Sequence, residues 1–359
     1  MSYCLNLPIN SVSFGQTSTM LLRDLFERGR EVTISPIGDR VDLSAQKDFP
    51  AFSNWIQKGV EDFSKKHNRN NPAFRLWHLN GSLEAVSKKN ILMSFYELDS
   101  PTEEEVNIAK NCDTLVFSSK ETQKVFLEKG VESKLVPLAF DKYNFSKKEK
   151  VFFDDKRIVF NLVGKFEKRK HHEKVIKSWV KKFGNDSKYS LQCSVYNNFL
   201  SEQQNKECFF RALGEKRYEN VQFLGFMPKN SLYNDYLNSG DIILAMSGGE
   251  GWGLPEFHSV AIGKHAVVLN VCGYKEWANK DNSVLVEPSG KIDAYDGVFF
   301  HPNKPFNQGK IYDFNPDEFI HACEEAVKLV EKQKINQNGL KLQQEFSVEK
   351  MTDKILELF

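Results

Sequence analysis

At 359 residues the chain exceeds the size at which one core usually suffices, so two domains are expected. With 49 Lys and Arg against 48 Asp and Glu, the formal charge is +1, which excludes a global pull toward nucleic acid or an acidic membrane and leaves only local contacts. There is no run of some 18 apolar residues and no basic, apolar leader in Ser2 to Pro8. The six cysteines have no C-x-x-C or metal spacing, so a soluble, cytoplasmic chain with reduced thiols and without an integral membrane segment is expected.

Short apolar runs alternate with amphipathic segments, the pattern of parallel sheets crossed by helices. Tyr3 to Leu7 reads as a strand, Pro8 to Gln16 as a polar loop, and the following stretch to Arg28 as a helix with Leu21, Leu22, Leu25 and Phe26 on one face, ended by Gly29. The loop feeds a helix N-terminus that attracts anions. Gly15 is its close-approach point, while Asn10, Ser11 and Ser13 equally suit capping. Further strands are expected at Glu31 to Ser35, Arg75 to His78, Ile91 to Phe95, Thr114 to Ser118 and Lys134 to Leu138, with helices near 52–64, 103–110 and 121–129. Asp141 to Lys156, rich in Lys, Asp and Glu, reads as a linker.

A second unit opens with the strand Arg157 to Val163 and continues through strands near 190–196, 221–224, 241–246, 266–271 and 284–286. Directly after its first strand comes Gly164-Lys165-Phe166-Glu167-Lys168-Arg169-Lys170-His171, a basic loop at the carboxyl edge where open sheets bind ligands. Charge runs are ordinarily solvated, and Lys168 and Arg169 read that way; Lys165 and Lys170 gain weight from following an apolar strand. The run Asp241 to Met246 leads into Ser247-Gly248-Gly249-Glu250-Gly251-Trp252-Gly253 and a helix over Leu254 to Ile262, with Pro255 in the first turn. Gly251 and Gly253 allow close approach to a ligand, and the helix start favours a phosphate. Glu250 would repel that anion unless it accepts hydrogen bonds from hydroxyl groups, which sugars carry. Pro288 to Ile311 is expected to be an irregular loop, Asn315-Pro316 a helix start, and Ser347 to about Leu358 the last helix.

The stretch Glu250-Gly251-Trp252-Gly253-Leu254-Pro255 resembles the donor-site signature of retaining GT-B glycosyltransferases of the family 4-like group, glycosyl transferases group 1. That signature is written E-G-F-G-L-P, with a second Glu eight positions after the first, where this chain has His258. The resemblance implies an α/β fold of two Rossmann-like domains facing across a cleft. These would be an acceptor domain at 1–150, a nucleotide-sugar domain at 151–343, and a final helix at 344–359 returning to the first. It implies that Glu250 holds donor-sugar hydroxyls, that Lys165 and Lys170 stand where the family places an Arg and a Lys on the diphosphate, and that His78 lies beside the reacting carbon. Donor contacts would come from Gly251, Trp252, Gly253, Leu254, His258, Met227 and Gly15, with His258 offering a ribose one hydrogen bond. Glu97 and Ser13 would meet the acceptor, Glu97 reading equally as a surface acid. The resemblance further implies no metal and no cofactor, a UDP- or GDP-sugar as substrate, and a glycan, lipid-linked sugar, protein or modified nucleic-acid base as acceptor. An epimerase or phosphorylase of the same architecture, or a non-catalytic sugar-nucleotide or glycan binding protein, are the alternatives.

Overall fold

A computed structural model describes residues 3–38, 40–149 and 157–359. The first half alternates strands β1 (Cys4–Pro8), β2 (Thr33–Ile37), β3 (Ala73–Leu76), β4 (Asn90–Ser94), β5 (Thr114–Phe117) and β6 (Lys134–Leu135) with helices α1 (Ser13–Glu27), α2 (Pro50–Lys66), α3 (Glu103–Lys110) and α4 (Lys120–Leu127). All six strands pair in parallel, in the order β2-β1-β3-β4-β5-β6. The second half repeats the plan with β7 (Ile158–Val163), β8 (Tyr189–Ser194), β9 (Val221–Phe223), β10 (Ile242–Ala245), β11 (His265–Leu269) and β12 (Val284–Val286), crossed by α5 (His172–Phe183), α6 (Glu202–Ala212), α7 (Asn230–Ser239) and α8 (Leu254–Ala261). Its order is β12-β11-β10-β7-β8-β9, again parallel throughout.

Strands β1, β10 and β11 are buried along their whole length, which suits their near-continuous apolar sequences and the helices on both faces of each sheet. One apolar cluster runs from Leu5, Met20 and Leu25 through Phe140 and Phe145 to Trp252, Phe257 and Met351, so the halves share a core. A second cluster, including Phe160, Trp179, Leu244 and Phe319, fills the other side of the second sheet. Strand order reverses between β1 and β3 in the first sheet and between β7 and β10 in the second. Ligands of open α/β sheets settle at such switch points, outside the carboxyl ends of the strands.

After β12 the chain forms a hairpin of β13 (Pro288–Asp293) with β14 (Lys310–Phe314), then α9 (Pro316–Lys332), α10 (Gln337–Glu345) and α11 (Val348–Leu356). Asn315 Oδ1 caps α9 by accepting from the N–H groups of Asp317 and Glu318. Helix α11 returns to the first half, where Arg28 Nη1 lies 2.5 Å from Asp353 Oδ1 and the rings of Tyr3 and Phe359 stack at 4.4 Å.

Three expectations need correcting. Helix α1 begins at Ser13 rather than after Gln16, because Gln16 N already donates to Val12 O and no side chain caps the end at Val12. The sixth strand is two residues long. The stretch from Pro288 to Ile311 is not wholly irregular: its ends pair as the β13–β14 hairpin, with a register shift between Pro288 and Gly290. Of the expected linker, residues 150–156 lie outside the described residues. Its start is tied down by Asp141 Oδ1, which accepts from Tyr143 N and Asn144 N, and by Lys148 N, which donates to Asn238 Oδ1.

Candidate functional site

Both loops at the switch point of the second sheet converge on one buried ion cluster. The loop after β10 carries Glu250 and the loop after β7 carries Lys170; Lys170 Nζ lies 2.5 Å from Glu250 Oε1. Arg169 reaches the same oxygen with Nη1 at 2.9 Å, donates to the Gly249 carbonyl, and places Nη2 3.0 Å from Glu167 Oε1. Glu97, from the loop after β4 in the first half, meets Arg169 Nη2 at 3.3 Å. Glu256 completes the group: its Oε1 accepts from Tyr274 OH at 3.2 Å and lies 3.9 Å from Lys170 Nζ. Glu167, Arg169, Lys170, Glu250 and Glu256 are all buried, whereas the Glu97 side chain keeps about a third of its surface open.

Four carboxyl groups thus face two cations, and the imbalance sorts their proton affinities. Burial pushes the Glu250 carboxyl up, but Lys170 and then Arg169 outweigh it and hold it down to about 2. Partial burial raises Glu97 from its ordinary value, with Arg169 opposing and Glu250 adding to the rise. Glu256 is raised by burial too, against the pull of Lys170. Burial acts to lower the pKa of Lys170, yet Glu250 and Glu256 raise it, so the ammonium stays charged.

Gly253 stands at the junction of this loop with α8. Its φ of +78° is left-handed, and a Cβ there would fall 2.2 Å from the Tyr274 ring, so the turn admits only glycine. Leu254 and Pro255 then open α8. Gly251 O accepts from Ser118 Oγ of the first half at 2.8 Å, so this loop also forms part of the contact between halves. Trp252 contributes only main chain to the loop surface: its ring is core, packed on Phe257 and Phe346.

Lys165 stands apart from the buried cluster, exposed, with Nζ 4.3 Å from the centre of the Phe299 ring and 5.1 Å from that of Phe199. Its charge reaches His78, an exposed residue whose pKa is lowered by partial desolvation against its aromatic neighbours and then by Lys165. His78 sits at the carboxyl end of β3, on the switch point of the first sheet, against Phe14 at 4.5 Å and Trp77 at 5.1 Å. Phe14 in turn stacks on Phe95 at 4.3 Å, so the start of α1 and the carboxyl ends of β3 and β4 share one aromatic cluster. Ser13 is exposed at the first turn of α1, and the close approach at Gly15 is to its own chain, since a Cβ would fall 2.2 Å from Asn10 Oδ1. Met227, half-buried, follows the edge strand β9, two strands away from β7.

His258 is brought to a different neighbourhood. Its Nε2 accepts from Asp141 N at 3.1 Å and its ring stacks on Phe145 at 4.4 Å, at the crossing between halves and away from the ion cluster's bonds. Burial lowers its pKa to about 3, only partly opposed by a bond to the Leu254 carbonyl, and burial does the same to His172. Both rings are neutral in the folded chain. Unfolded histidine takes up a proton below about 6.5, so stability is full above that pH and falls as pH drops toward about 3. The slope is about 1.4 kcal/mol per pH unit for each ring. His258→Gln retains an acceptor for Asp141 N but cannot titrate. Urea unfolding between about pH 6 and pH 4 is expected to show a slope shallower by that amount, and a wild-type slope in this variant would contradict the account.

Arg169, Glu167 and Glu256 belong to the cluster although the sequence reading left them out or treated them as surface. Only Glu256 carried a local signal, an acid in the first turn of a helix after Pro255. A cavity of about 910 Å³ opens on the far side of the basic loop, between α5, α6 and the hairpin, with Glu167, Lys168 and Phe299 in its lining. Glu250, Lys170, Lys165 and His78 do not line it, although charged side chains such as Glu173, Lys177 and Arg211 do. Among the described residues, no group of three or more His, Cys, Asp or Glu side chains is placed to hold a metal ion, and no helix is long and apolar enough to cross a membrane.

Residues 144–298 match the family model described as glycosyl transferases group 1. No curated protein sequence matches the chain. Among solved structures, the chain is similar to sucrose-phosphate synthase from Thermosynechococcus elongatus, at 13% identity and a TM-score of 0.66, over 100% of this chain and 98% of that one. It is also similar to HepE from Anabaena in complex with UDP and glucose, at 14% identity and a TM-score of 0.67 over 100% and 99%. A third, α,α-trehalose 6-phosphate synthase from Burkholderia multivorans, has 11% identity and a TM-score of 0.63 over 99% and 98%. At such identities the likeness speaks for the fold, which is GT-B.

Proposed function

With residues 144–298 matching glycosyl transferases group 1 and the whole chain folded as GT-B, we propose that the protein transfers a sugar from a nucleotide-sugar donor to an acceptor hydroxyl, with retention of configuration and without a metal. The observation that carries this reading is the meeting of Glu250 and Lys170 in front of α8, at the switch point of the second sheet, opposite Glu97 of the first half.

In this reading Glu250, held ionised by its two cations, accepts hydrogen bonds from donor-sugar hydroxyls. Lys170 is shared between Glu250 and the diphosphate, and main-chain N–H groups from Gly251 to Leu254 add donors at the positive end of α8. These groups stabilise charge that grows on the leaving diphosphate, a role for which a single preorganised donor is worth about 3–4 kcal/mol. Lys165 leaves its aromatic neighbours to add a second positive charge. Gly253 provides the turn that lets the chain approach the donor, Trp252 and Leu254 contribute main chain, and Met227 borders the nucleotide. His78, kept neutral, stands beside the reacting carbon. Glu97 and Ser13 line the acceptor side, where the raised pKa of Glu97 suits proton uptake from a hydroxyl. Same-face attack, with the leaving phosphate helping to take that proton, needs no covalent nucleophile.

Thermal unfolding with UDP, GDP and ADP, each alone and as its glucose or mannose conjugate, tests the reading. A ligand confined to the native state at a hundredfold its Kd stabilises by about 2.7 kcal/mol, enough to raise Tm by several degrees. UDP is the first choice because the HepE structure holds UDP and glucose. No rise with any of these nucleotides or conjugates would sink the proposal.

A further inference from the structure

Arg169 lies within a run of basic residues, a pattern that ordinarily marks solvated surface, yet it is 5% exposed and its guanidinium is the common partner of three acids. Nη1 serves Glu250 and the Gly249 carbonyl, Nη2 serves Glu167 and Glu97. Glu250 and Gly249 follow β10, Glu167 follows β7, and Glu97 follows β4 of the other half. A planar fork with fixed N–H directions is the side chain that can satisfy several acids at set angles, whereas an ammonium offers a single point of charge.

The geometry points to Arg169 as a positioning residue that sets the donor-side carboxylate of Glu250 and the acceptor-side carboxyl of Glu97 in one frame, so that sugar and acceptor are aligned only when both halves grip it. This rests on the transferase reading above. Two features make a purely architectural role insufficient. The bond to Glu97 joins the two halves, and the Glu97 side chain is the one member of the cluster that keeps substantial open surface, where an acceptor would meet it. Lys170 holds the same Glu250 oxygen and exerts the larger pull on it, and a lysine at 169 would keep the second charge, so what the Arg169 fork itself adds is direction. Misplacing a reacting group by about 1 Å costs roughly a hundredfold in rate, whereas diphosphate binding through Lys170 and α8 does not depend on that alignment.

The test uses the full chain, with UDP binding read by calorimetry and turnover read as UDP release from UDP-glucose, water standing in as the hydroxyl that takes the glucosyl group. Arg169→Lys keeps the charge and loses the fork. It is expected to bind UDP within about threefold of wild type and to lose about a hundredfold in kcat. Arg169→Ala is expected to recover at least tenfold with millimolar guanidinium and not with methylammonium, provided thermal unfolding shows it folded. Glu97→Gln combined with Arg169→Lys is expected to lose less than the product of the two single losses, because the linkage they share is broken once. Loss of UDP affinity in step with kcat, losses that multiply, or wild-type kcat in Arg169→Lys would each overturn the inference. A wild type that neither binds UDP nor releases it from UDP-glucose would instead count against the donor assigned above. In that case the Arg169–Glu97 link is read from thermal unfolding of the two variants and their combination, where additive shifts would overturn it.

Discussion

Glu250→Gln is expected to bind UDP more tightly than the wild type while releasing it from UDP-glucose about 10- to 150-fold more slowly, the span set by losing a hydrogen bond to a charged group. The opposite signs follow from the site's electrostatics. In the free protein the carboxylate occupies Lys170 at 2.5 Å and Arg169 at 2.9 Å, so an arriving diphosphate must compete with it and is repelled by it. Two like charges a few ångströms apart repel by up to about 4 kcal/mol at the effective dielectric of a protein. The amide removes that repulsion and frees Lys170, but it offers sugar hydroxyls a weaker acceptor. Calorimetry with UDP and a UDP-release assay together decide the matter. Weakened UDP binding in this variant would contradict the assignment of Lys170 to the diphosphate as well as that of Glu250 to the sugar.

Lys170→Met should act in the same direction on both quantities. Removing a preorganised donor from a leaving group costs about 100- to 1000-fold in turnover, and UDP affinity is expected to fall at least tenfold, by about one charge-assisted contact. Stability should fall as well, since taking one partner from a buried ion pair costs up to about 3–5 kcal/mol. Arg169 stays on Glu250 and softens that loss, and Glu256, whose pKa burial raises, is already inclined to hold a proton. UDP titrations at two ionic strengths would show a smaller salt dependence in the variant than in the wild type; an unchanged UDP affinity would remove Lys170 from the diphosphate.

The second sheet was the more readable part of the chain because its signals are local. An apolar strand, then Gly251-Trp252-Gly253-Leu254-Pro255, then a helix, states a ligand-facing joint in a dozen residues, and Gly253 takes the positive φ that this reading requires. The alternation of elements announced two parallel sheets crossed by helices, whereas the strand order and its two reversals are set by tertiary pairing. Arg169 was hidden for the converse reason: its partners Glu97 and Glu250 lie far off in the chain, and burial by tertiary contacts turns a basic run, which reads as solvated surface, into the centre of a cluster. His258 shows a related limit, since nothing near it in sequence announces the bond from Asp141 or the Phe145 ring. The hairpin escaped because β13 pairs with a strand that lies beyond a turn-rich stretch, and non-local pairing leaves little trace in either segment.

That hairpin ties the architecture together in a way that two facing lobes do not require. Ala294, Phe300 and Ile311 are buried among Leu79, Leu92, Tyr96 and Phe117 of the first half. Asp99 takes Lys291 Nζ and Lys310 N, Asn307 N donates to Glu105, and Thr102 Oγ1 donates to the Pro305 carbonyl. On its other flank Tyr312 N donates to Gly248 O, beside Glu250. A segment synthesised with one lobe therefore completes the hydrophobic interior of the other, so neither can finish folding as an autonomous body. Any opening of the crevice wide enough to part them must first strip this buckle away, leaving small rotations about it as the cheaper motion.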